Sequence, residues 1–414
     1  MHRITLDYGA DDPLLLEVAD DALVADCRGP RGVTGAAARR LVTAATDAPV
    51  ESPPLAAHVV PGDRVVIALA GTMPVAADVV AVVVDRLTTG GVLPADVTVL
   101  GAPPLEATSH APAGAAPAGG AIMSGAPAGV GTIAAFDPTS EPQTSYMAAD
   151  EAGRPIHLAR ALVDADVAVT IGGWSWDPAF GGRSLEGELW PAFSRRQCRL
   201  DLVRSITLRG RRGLEAWKGA NREATWQLGA LASLRLVAGR GDTLAAVAFG
   251  PPESAAARAR TLAEGWRPVV DAPAAVAIAS LSDPHGGLAA LLRGVAAAAR
   301  VTTPGGTVCV ASRLAERPGV IFARWREGAP LEPLVKEAVR TGDPLLVADA
   351  FRTRLFARTL GDRRLVLLSD LDEESLGDLD IGHAATPEVV ERLAHRAASI
   401  AILHEADRML PRLA

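Results

Sequence analysis

The chain has 414 residues, of which 49% are apolar and 4% aromatic, so we expect a large core built mainly from Ala, Val and Leu. This length is typical of two or three domains. The net charge of −7 comes from acids and bases mixed along the chain. That distribution argues against nucleic acid as a partner, because binding a phosphate backbone requires a concentrated basic surface.

Short apolar runs rich in β-branched residues recur along the chain and end near Gly, Ser or Asp. They lack the strict alternation of a half-exposed strand, which is typical of parallel strands covered on both faces. The predicted strands are Asp63–Gly71, Asp96–Ala102, Ala165–Gly173, Ala274–Leu281, Gly306–Ser312 and Arg364–Leu371.

Helical patterns separate several of these strands. Alternation of strand and helix indicates α/β layers. We therefore predict an α/β fold of two domains, with largely parallel sheets and a cleft between the domains. The predicted helices are Pro74–Thr88, Gly287–Arg300, Pro344–Leu360 and Thr386–Ala398.

Two segments interrupt this order and suggest where the domains divide. Ala111–Gly131 is a low-complexity run of Ala, Gly and Pro, which we interpret as a surface loop because it offers too little varied apolar surface to fold alone. A loop at Gly250–Ala256 and a short helical run precede Arg267. We therefore predict an N-terminal domain of residues 1–266 and a C-terminal domain of residues 267–414.

The cysteine and hydropathy patterns predict a cytoplasmic protein. Cys27, Cys198 and Cys309 are far apart and odd in number, which is typical of free thiols in a reducing compartment. The N-terminus lacks the pattern of a signal peptide. The longest apolar run, Val75–Asp85, is too short to span a membrane, so we expect no membrane partner. The eight histidines are scattered, and no spacing predicts three converging metal ligands.

The stretch WDPAFGGRS follows the predicted strand Ala165–Gly173 and carries two adjacent glycines and an arginine. A glycine pair after a buried strand lets the backbone approach a ligand or a crowded neighbour closely. Arg183, beside Gly181 and Gly182, indicates an anion as that ligand. These three residues are therefore a candidate binding site.

Two further turns lie between a strand and the next helix, where α/β folds bind ligands. Thr72 stands in the first turn, which is either simply a tight turn or a helix start whose free N–H groups can hold an anion. His285 stands in the second turn, SDPHGG, either as an acid–base group or as a polar loop residue. Arg293, in the following helix, is either a solvated residue or a clamp for a carboxylate. The G-x-G-x-x-A match at Gly129–Ala134 is interpreted as chance, because no strand precedes it.

Taken in order, segments along nearly the whole chain resemble the nickel-dependent lactate racemases and their relatives. The opening DYG with LLLEVADD resembles that family's first strand pair, and DRVVIALAGTMPVAADVV resembles the segment that ends in Asp-His-Thr-Arg-Pro. The run GRPIHLARALVDADVAVTIGGWSWDPAFGGRS resembles the family's passage from Ala-Asp to Phe-Ser-Gly-Gly-Arg-Lys. Further matches in order and spacing are DVTVLGAPP, GLAALLRGVAAAARVTTPGGTVCVAS, RLFART and LLSDL.

The resemblance implies an isomerase that racemises or epimerises 2-hydroxy acids. In the family, a nickel pincer nucleotide is tethered to a lysine and its metal is also held by a histidine. Two further histidines act as acid and base while a hydride leaves and returns. Soft sulfur and carbon ligands suit nickel, and paired imidazoles can exchange a hydroxyl proton near neutral pH.

Most of the reactive positions that the resemblance implies are occupied by other residues here. The tethering lysine corresponds to Ser184, whose hydroxyl does not replace an amine that must carry the cofactor. Of the family's three histidines, the first corresponds to Pro103, the second falls among Ser175, Trp176 and Asp177, and the last falls near Cys198. The family's aspartate corresponds to Ala70, and its substrate-binding arginine corresponds to Met73.

The positions that do match are mainly ligand-binding ones. Arg293 stands where the family has a substrate-binding lysine, and Phe351 stands where it has a tryptophan. Arg358 and Asp370 also match, in a structural or a functional role. The ligand-binding residues that the resemblance implies are therefore Thr72, Gly181, Gly182, Arg183, Arg293 and Phe351.

Three functional hypotheses follow. The first is a homologue without the family's chemistry that binds a small anion resembling a 2-hydroxy acid, or a partner. The second is an active racemase or epimerase with a noncovalent cofactor, in which Asp177, His110 or His285 replaces the lost acid–base groups. The third is a purely structural role.

Overall fold

The computed structural model describes residues 1–11, 13–71, 73–102, 130–150, 153, 155–183, 189–230, 232–377 and 379–414. The strands of these residues are β1 (His2–Leu6), β2 (Leu14–Val18), β3 (Leu23–Cys27), β4 (Val65–Ala70), β5 (Val97–Gly101), β6 (Thr132–Ala135), β7 (Thr144–Ala149), β8 (Pro155–Ala159), β9 (Val167–Trp174), β10 (Trp176–Asp177), β11 (Gly182–Arg183), β12 (Ala232–Ala238), β13 (Leu244–Gly250), β14 (Val269–Val270), β15 (Ala274–Ser280), β16 (Thr302–Ala311), β17 (Arg364–Leu368), β18 (Gly382–His383), β19 (Ile400–Leu403) and β20 (Arg412–Leu413).

The α-helices of the same residues alternate with many of these strands. They are α1 (Gly35–Asp47), α2 (Ala76–Thr89), α3 (Arg160–Val163), α4 (Leu189–Ala192), α5 (Arg196–Arg209), α6 (Arg211–Gln227), α7 (Pro252–Leu262), α8 (Leu288–Arg300), α9 (Val320–Arg326), α10 (Leu331–Thr341), α11 (Pro344–Leu360), α12 (Glu373–Gly377) and α13 (Pro387–Arg396).

The predicted α/β class with largely parallel sheets is confirmed. All six predicted strands are present, as β4, β5, β9, β15, β16 and β17, and the four predicted helices are α2, α8, α11 and α13. Strand β16 begins earlier than predicted, at Thr302, because Thr302 pairs with Ala274 ahead of a register shift that accommodates the residues before Thr307. None of the helices in the described residues is both long and apolar enough to cross a membrane.

The chain divides into two compact units. One consists of residues 1–30, 175–184 and 264–414, and the other of residues 31–174 and 185–263. The first unit therefore contains the N-terminal strands and the WDPAFGGRS stretch together with the C-terminal part of the chain. The N-terminal and C-terminal domains of the family resemblance, 1–266 and 267–414, stay a prediction.

The first unit is built on a six-stranded parallel sheet with the order β18-β17-β16-β15-β19-β3. One face packs against the antiparallel ribbon β1–β2 and helix α13, where Leu6, Leu16 and Val390 join Ile278 and Ile402 in one core cluster. Helix α8 packs against β15 and β16. Strand β15 has β16 on one side and β19 on the other, so the direction of winding reverses between β15 and β19.

The second unit has a six-stranded sheet with the order β13-β12-β9-β4-β5-β6, in which the β12–β13 pair alone is antiparallel. Both faces of this sheet are covered, since adjacent residues of β4 belong to different core clusters. Ile67 packs with Val83 of α2, whereas Val66 packs in the cluster that contains Phe193 and Ala224. Continuous burial along β4 explains why its sequence lacks alternation.

Two sequence segments lie wholly or partly outside the described residues. The predicted surface loop Ala111–Gly131 falls almost entirely within the undescribed range 103–129. The G-x-G-x-x-A match at Gly129–Ala134 runs into strand β6, which pairs with β5. A dinucleotide fingerprint would instead open a helix, so the interpretation of this match as chance is confirmed.

Candidate functional site

The WDPAFGGRS stretch forms a short hairpin in the first unit. Strand β10 pairs antiparallel with β11, with Trp176 opposite Arg183 and Asp177 opposite Gly182. The buried Asp177 carboxylate accepts hydrogen bonds from the backbone N–H groups of Ala179 and Phe180, at 2.9 and 3.2 Å. A side chain that caps its own turn in this way fixes the local backbone, so Asp177 stabilises the hairpin turn.

The two glycines of the hairpin leave its backbone uncrowded, and one of them has a left-handed conformation. Gly181 has a φ of 65°, a left-handed conformation that glycine adopts without a steric cost. A Cβ atom added to Gly181 or to Gly182 would meet no described atom within 4 Å. Close packing therefore does not require a glycine at either position, and the backbone there is open to a ligand.

Helix α11 and the segment before β14 anchor the hairpin. The rings of Phe180 and Phe351 are stacked, with centroids 6.0 Å apart and an interplanar angle of 30°. The Arg358 guanidinium donates a hydrogen bond to the carbonyl oxygen of Ala179. Arg267 Cζ lies 4.6 Å from the centroid of the buried Trp176 ring, within the range of a cation–π interaction.

The hairpin lies at the carboxyl end of the parallel sheet of the first unit. Strand β10 packs against the turn Ala406–Arg408, which follows β19. In that turn the buried carboxylate of Asp407 accepts hydrogen bonds from the backbone N–H and the hydroxyl of Ser282, at 2.7 and 2.6 Å. These bonds join the loops that follow β15 and β19, at the switch point where open α/β sheets bind ligands.

A carboxylate of the chain itself occupies the N-terminus of α8, the helix that follows the turn containing His285. The first N–H of α8, on Leu288, donates to Glu316 Oε2 at 2.8 Å, and Arg352 donates to the other oxygen of Glu316 at 3.3 Å. A Cβ atom on Gly287 would lie 2.1 Å from Glu316 Oε2, so the Glu316 side chain would have to move if a larger residue stood there. The anion that a helix N-terminus attracts is thus supplied internally here.

His285 itself is an exposed loop residue. Its backbone N–H donates to Asp283 at 3.1 Å, and its imidazole makes no hydrogen bond or ion pair with a described residue. Arg293, on α8 in the same unit, is half-buried. The structure thus gives His285 no group that would orient its ring.

A histidine that the sequence did not single out is oriented at the same end of this sheet. His404 follows β19, and its Nε2 lies 2.9 Å from Oδ1 of Asp26 at the end of β3. Arg28 donates to the other carboxylate oxygen of Asp26 at 3.0 Å. No local motif could have revealed the pair, because His404 and Asp26 are 378 residues apart in sequence and meet only through the pairing of β3 with β19.

The pKa of Asp26 falls below its ordinary value. Burial of the carboxyl raises its pKa, but the hydrogen bond from His404 and the charges of His404 and Arg28 together outweigh that effect. Asp26 is therefore ionised near neutral pH, and its Oδ1 accepts a hydrogen bond from His404 Nε2–H. This hydrogen bond selects the tautomer in which His404 Nδ1 carries the lone pair.

The predicted site residues are partly brought together. Asp177, Gly181, Gly182 and Phe351 lie in or against the hairpin, and for Arg183 the backbone alone is described. Thr72, His110, Ser184 and Pro103 lie outside the described residues. Their roles, and those of His285 and Arg293, stay predictions.

The metal donors and thiols of the described residues are dispersed. Within the described ranges, no three His, Cys, Asp or Glu side chains lie close enough together to hold a metal ion. Burial raises the pKa of Cys198, the residue nearest to the family's last histidine, above its ordinary value. Cys198 is therefore mainly a neutral thiol near neutral pH, whereas a metal ligand would be a thiolate.

Comparison with known proteins identifies the fold. No family model and no curated protein matches the sequence. The lactate racemase apoprotein of Thermoanaerobacterium thermosaccharolyticum is a structural match with a TM-score of 0.75 and 15% identity, covering 99% of this chain and 100% of that one. A Thermotoga maritima protein from a structural genomics programme matches with a TM-score of 0.63 and 13% identity, covering 87% of this chain and 96% of that one. The chain thus has, over nearly its whole length, the fold of the lactate racemase apoprotein.

Proposed function

We propose that this protein is a lactate racemase-like member of the nickel pincer nucleotide family that binds a small 2-hydroxy-acid-like anion and lacks the family's racemase chemistry. The observation that carries the proposal is the glycine hairpin, which is held in place by Asp177 and Phe351 while Gly181 and Gly182 keep an open backbone. A match to the lactate racemase apoprotein over 99% of this chain supports the family.

The side chains near the hairpin do not fit a tethered nickel nucleotide. The resemblance puts one of the family's three histidines among Ser175, Trp176 and Asp177. Trp176 is buried beneath Arg267, and the Asp177 carboxylate is engaged by two backbone N–H groups. Position 184 holds serine, which offers no amine for the covalent link. These residues support binding without the tethered cofactor.

Two arginine side chains and the open backbone of the hairpin would recognise the anion. Arg183 and Arg293 are the cations that the resemblance places at the ligand, and a carboxylate pairs well with a guanidinium because two parallel N–H···O bonds form. Phe351 would supply the apolar contact that the family makes with tryptophan. The proposal includes the two family domains, 1–266 and 267–414, and a cytoplasmic location in which all three cysteines stay reduced.

Mass spectrometry tests the loss of chemistry. The full chain is produced together with the enzymes that synthesise the pincer nucleotide, and its intact mass, nickel content and racemisation of D- and L-lactate are measured. We expect the unmodified mass, no stoichiometric nickel and no racemisation. A covalent adduct or interconversion of the lactate enantiomers would overturn the proposal in favour of an active racemase or epimerase.

Calorimetric titration with L-lactate tests the anion site. Arg293→Gln should weaken binding by roughly tenfold or more, because a charged hydrogen bond to the carboxylate is lost. Arg340→Gln is the matched control, since Arg340 is exposed on α10 and the resemblance gives it no contact with the ligand. Equal affinities of the two variants would contradict the role of Arg293.

An active enzyme with replaced acid–base groups is the second candidate function. Of the residues first considered for that role, Asp177 is committed to its turn and His285 has no orienting partner among the described residues. His404, oriented by Asp26, is the observation that favours this candidate.

A further inference from the structure

We propose that His404, oriented by Asp26, accepts a hydrogen bond from the 2-hydroxyl group of the bound anion. This inference rests on the proposed function, since it assumes a 2-hydroxy-acid-like ligand in the first unit. It adds a specificity residue that neither the sequence motifs nor the family resemblance supplies.

The place of His404 in the fold is the first argument. His404 follows β19, and β19 neighbours β15 at the point where the winding of the sheet reverses. In open α/β sheets, ligands bind outside the carboxyl ends of strands at this point. The backbone N–H of the next residue, Glu405, donates to the Ser280 hydroxyl at 3.3 Å, which ties this turn to the end of β15. His404 is therefore held at the ligand-binding end of the sheet.

The chemistry of the imidazole is the second argument. Asp26 Oδ1 accepts the hydrogen bond from Nε2–H, so in the neutral form of the ring the lone pair is at Nδ1. Nδ1 has no hydrogen-bond partner among the described residues, and it is not one of the buried side-chain atoms that lack a partner. The His404 side chain is nonetheless only 13% exposed. A ring that is held rigidly and still presents one accessible acceptor can select a hydroxyl donor.

The hairpin is the third argument. Strand β10 packs against Ala406–Arg408, the turn that begins two residues after His404. Strand β10 of the hairpin and the oriented ring of His404 thus both adjoin the short segment 404–408. A 2-hydroxy acid whose carboxylate is held at the hairpin would place its 2-hydroxyl group at the same carboxyl end of the first unit's sheet as His404.

The structural alternative is that Asp26 and His404 only tie the edge strand β3 to β19. A tie of that kind would affect stability but not the choice between two ligands. The discriminating quantity is therefore the ratio of affinities for L-lactate and propionate, which differ by the 2-hydroxyl group. Because a single neutral hydrogen bond is at stake, the ratio should change by roughly five- to tenfold.

The experiment is a calorimetric titration of the full chain with L-lactate and with propionate, in wild type, His404→Gln, Asp26→Asn and the control His395→Gln, whose residue is exposed on α13. We expect wild type and H395Q to prefer lactate, H404Q to bind both acids equally, and D26N to lie between them. Retention of the wild-type preference by H404Q would overturn the inference while leaving anion binding intact. Failure of wild type to bind either acid would overturn both proposals, and equal binding of both acids by wild type would overturn this one alone.

Chemical labelling of wild type keeps the inference testable if the variants do not fold. Diethyl pyrocarbonate acylates a neutral imidazole nitrogen with loss of ethanol and carbon dioxide, and peptide mass spectrometry reports the rate at each histidine. Saturating L-lactate should slow labelling of His404 several-fold and leave the exposed His395 on α13 unaffected. Unprotected labelling of His404 at saturating lactate would contradict the contact.

Discussion

The rings of Phe180 and Phe351 stack at a centroid distance of 6.0 Å, which ties the glycine hairpin to helix α11. Phe180 lies within the turn that Asp177 caps, and Gly181 comes directly after it. One aromatic contact therefore links Phe180 of the WDPAFGGRS motif to Phe351, which lies 171 residues later in the sequence. The position of the candidate binding backbone depends on this pair.

Removing the Phe351 ring should loosen the hairpin. Phe351→Ala is expected to cost about 1 kcal/mol or more, because the aromatic pair and its apolar burial are lost. That cost corresponds to a fall in Tm of roughly 2–4 °C for a domain of 150–250 residues. Differential scanning calorimetry measures the change. Phe351→Trp, which keeps an aromatic ring, is the control, and a loss of stability as large in this variant as in F351A would contradict the stacking role.

The Asp177 carboxylate should control the flexibility of the turn. Asp177→Ala leaves the N–H groups of Ala179 and Phe180 without their acceptor, at an expected cost of about 1–3 kcal/mol. Hydrogen exchange at these two amides should accelerate accordingly. Asp177→Asn retains one acceptor oxygen and should preserve most of the protection. Unchanged exchange in D177A would show that the turn does not depend on this side chain.

The Asp26–His404 pair should make stability depend on acid pH. Since the folded pKa of Asp26 is depressed, its contribution is present above the unfolded value of about 4 and is lost as the pH falls through the lower folded pKa. Urea unfolding between pH 2.5 and 6 measures this slope. Asp26→Asn should be less stable than wild type at pH 6 and should show a smaller loss of stability on acidification. Parallel pH curves for the two proteins would rule out the contribution of Asp26.

The three thiols should react slowly in the folded protein. Burial, followed by the charge of Asp26, raises the pKa of Cys27 to about 11, and burial raises the pKa of Cys309 to about 12. Both thiols are therefore almost wholly protonated at pH 8, and only thiolates attack a disulfide reagent. Labelling with Ellman's reagent should modify the partly exposed Cys198 first and all three thiols only after unfolding. A fast reaction of Cys27 or Cys309 in the native state would contradict the burial.

The layers of the fold could be predicted because their signals are local. Strand β4 is buried along its whole length, so its residues form one apolar run that is visible in the sequence. The adjacent glycines marked WDPAFGGRS as a candidate binding site, but its pairing as a hairpin and its contacts with Phe351 and Arg358 were not predicted. The Asp26–His404 pair could not be predicted, since its partners lie at opposite ends of the chain.

The amino-acid sequence by itself predicted the alternation of strands and helices and marked the glycine pair of the WDPAFGGRS stretch, because apolar runs and turn residues are properties of short segments. The tertiary structure alone decided that Glu316 occupies the start of α8, that Asp177 is committed to its own turn and that Asp26 orients His404. These outcomes depend on which strands become neighbours in a sheet, and strand order follows from packing over the whole chain.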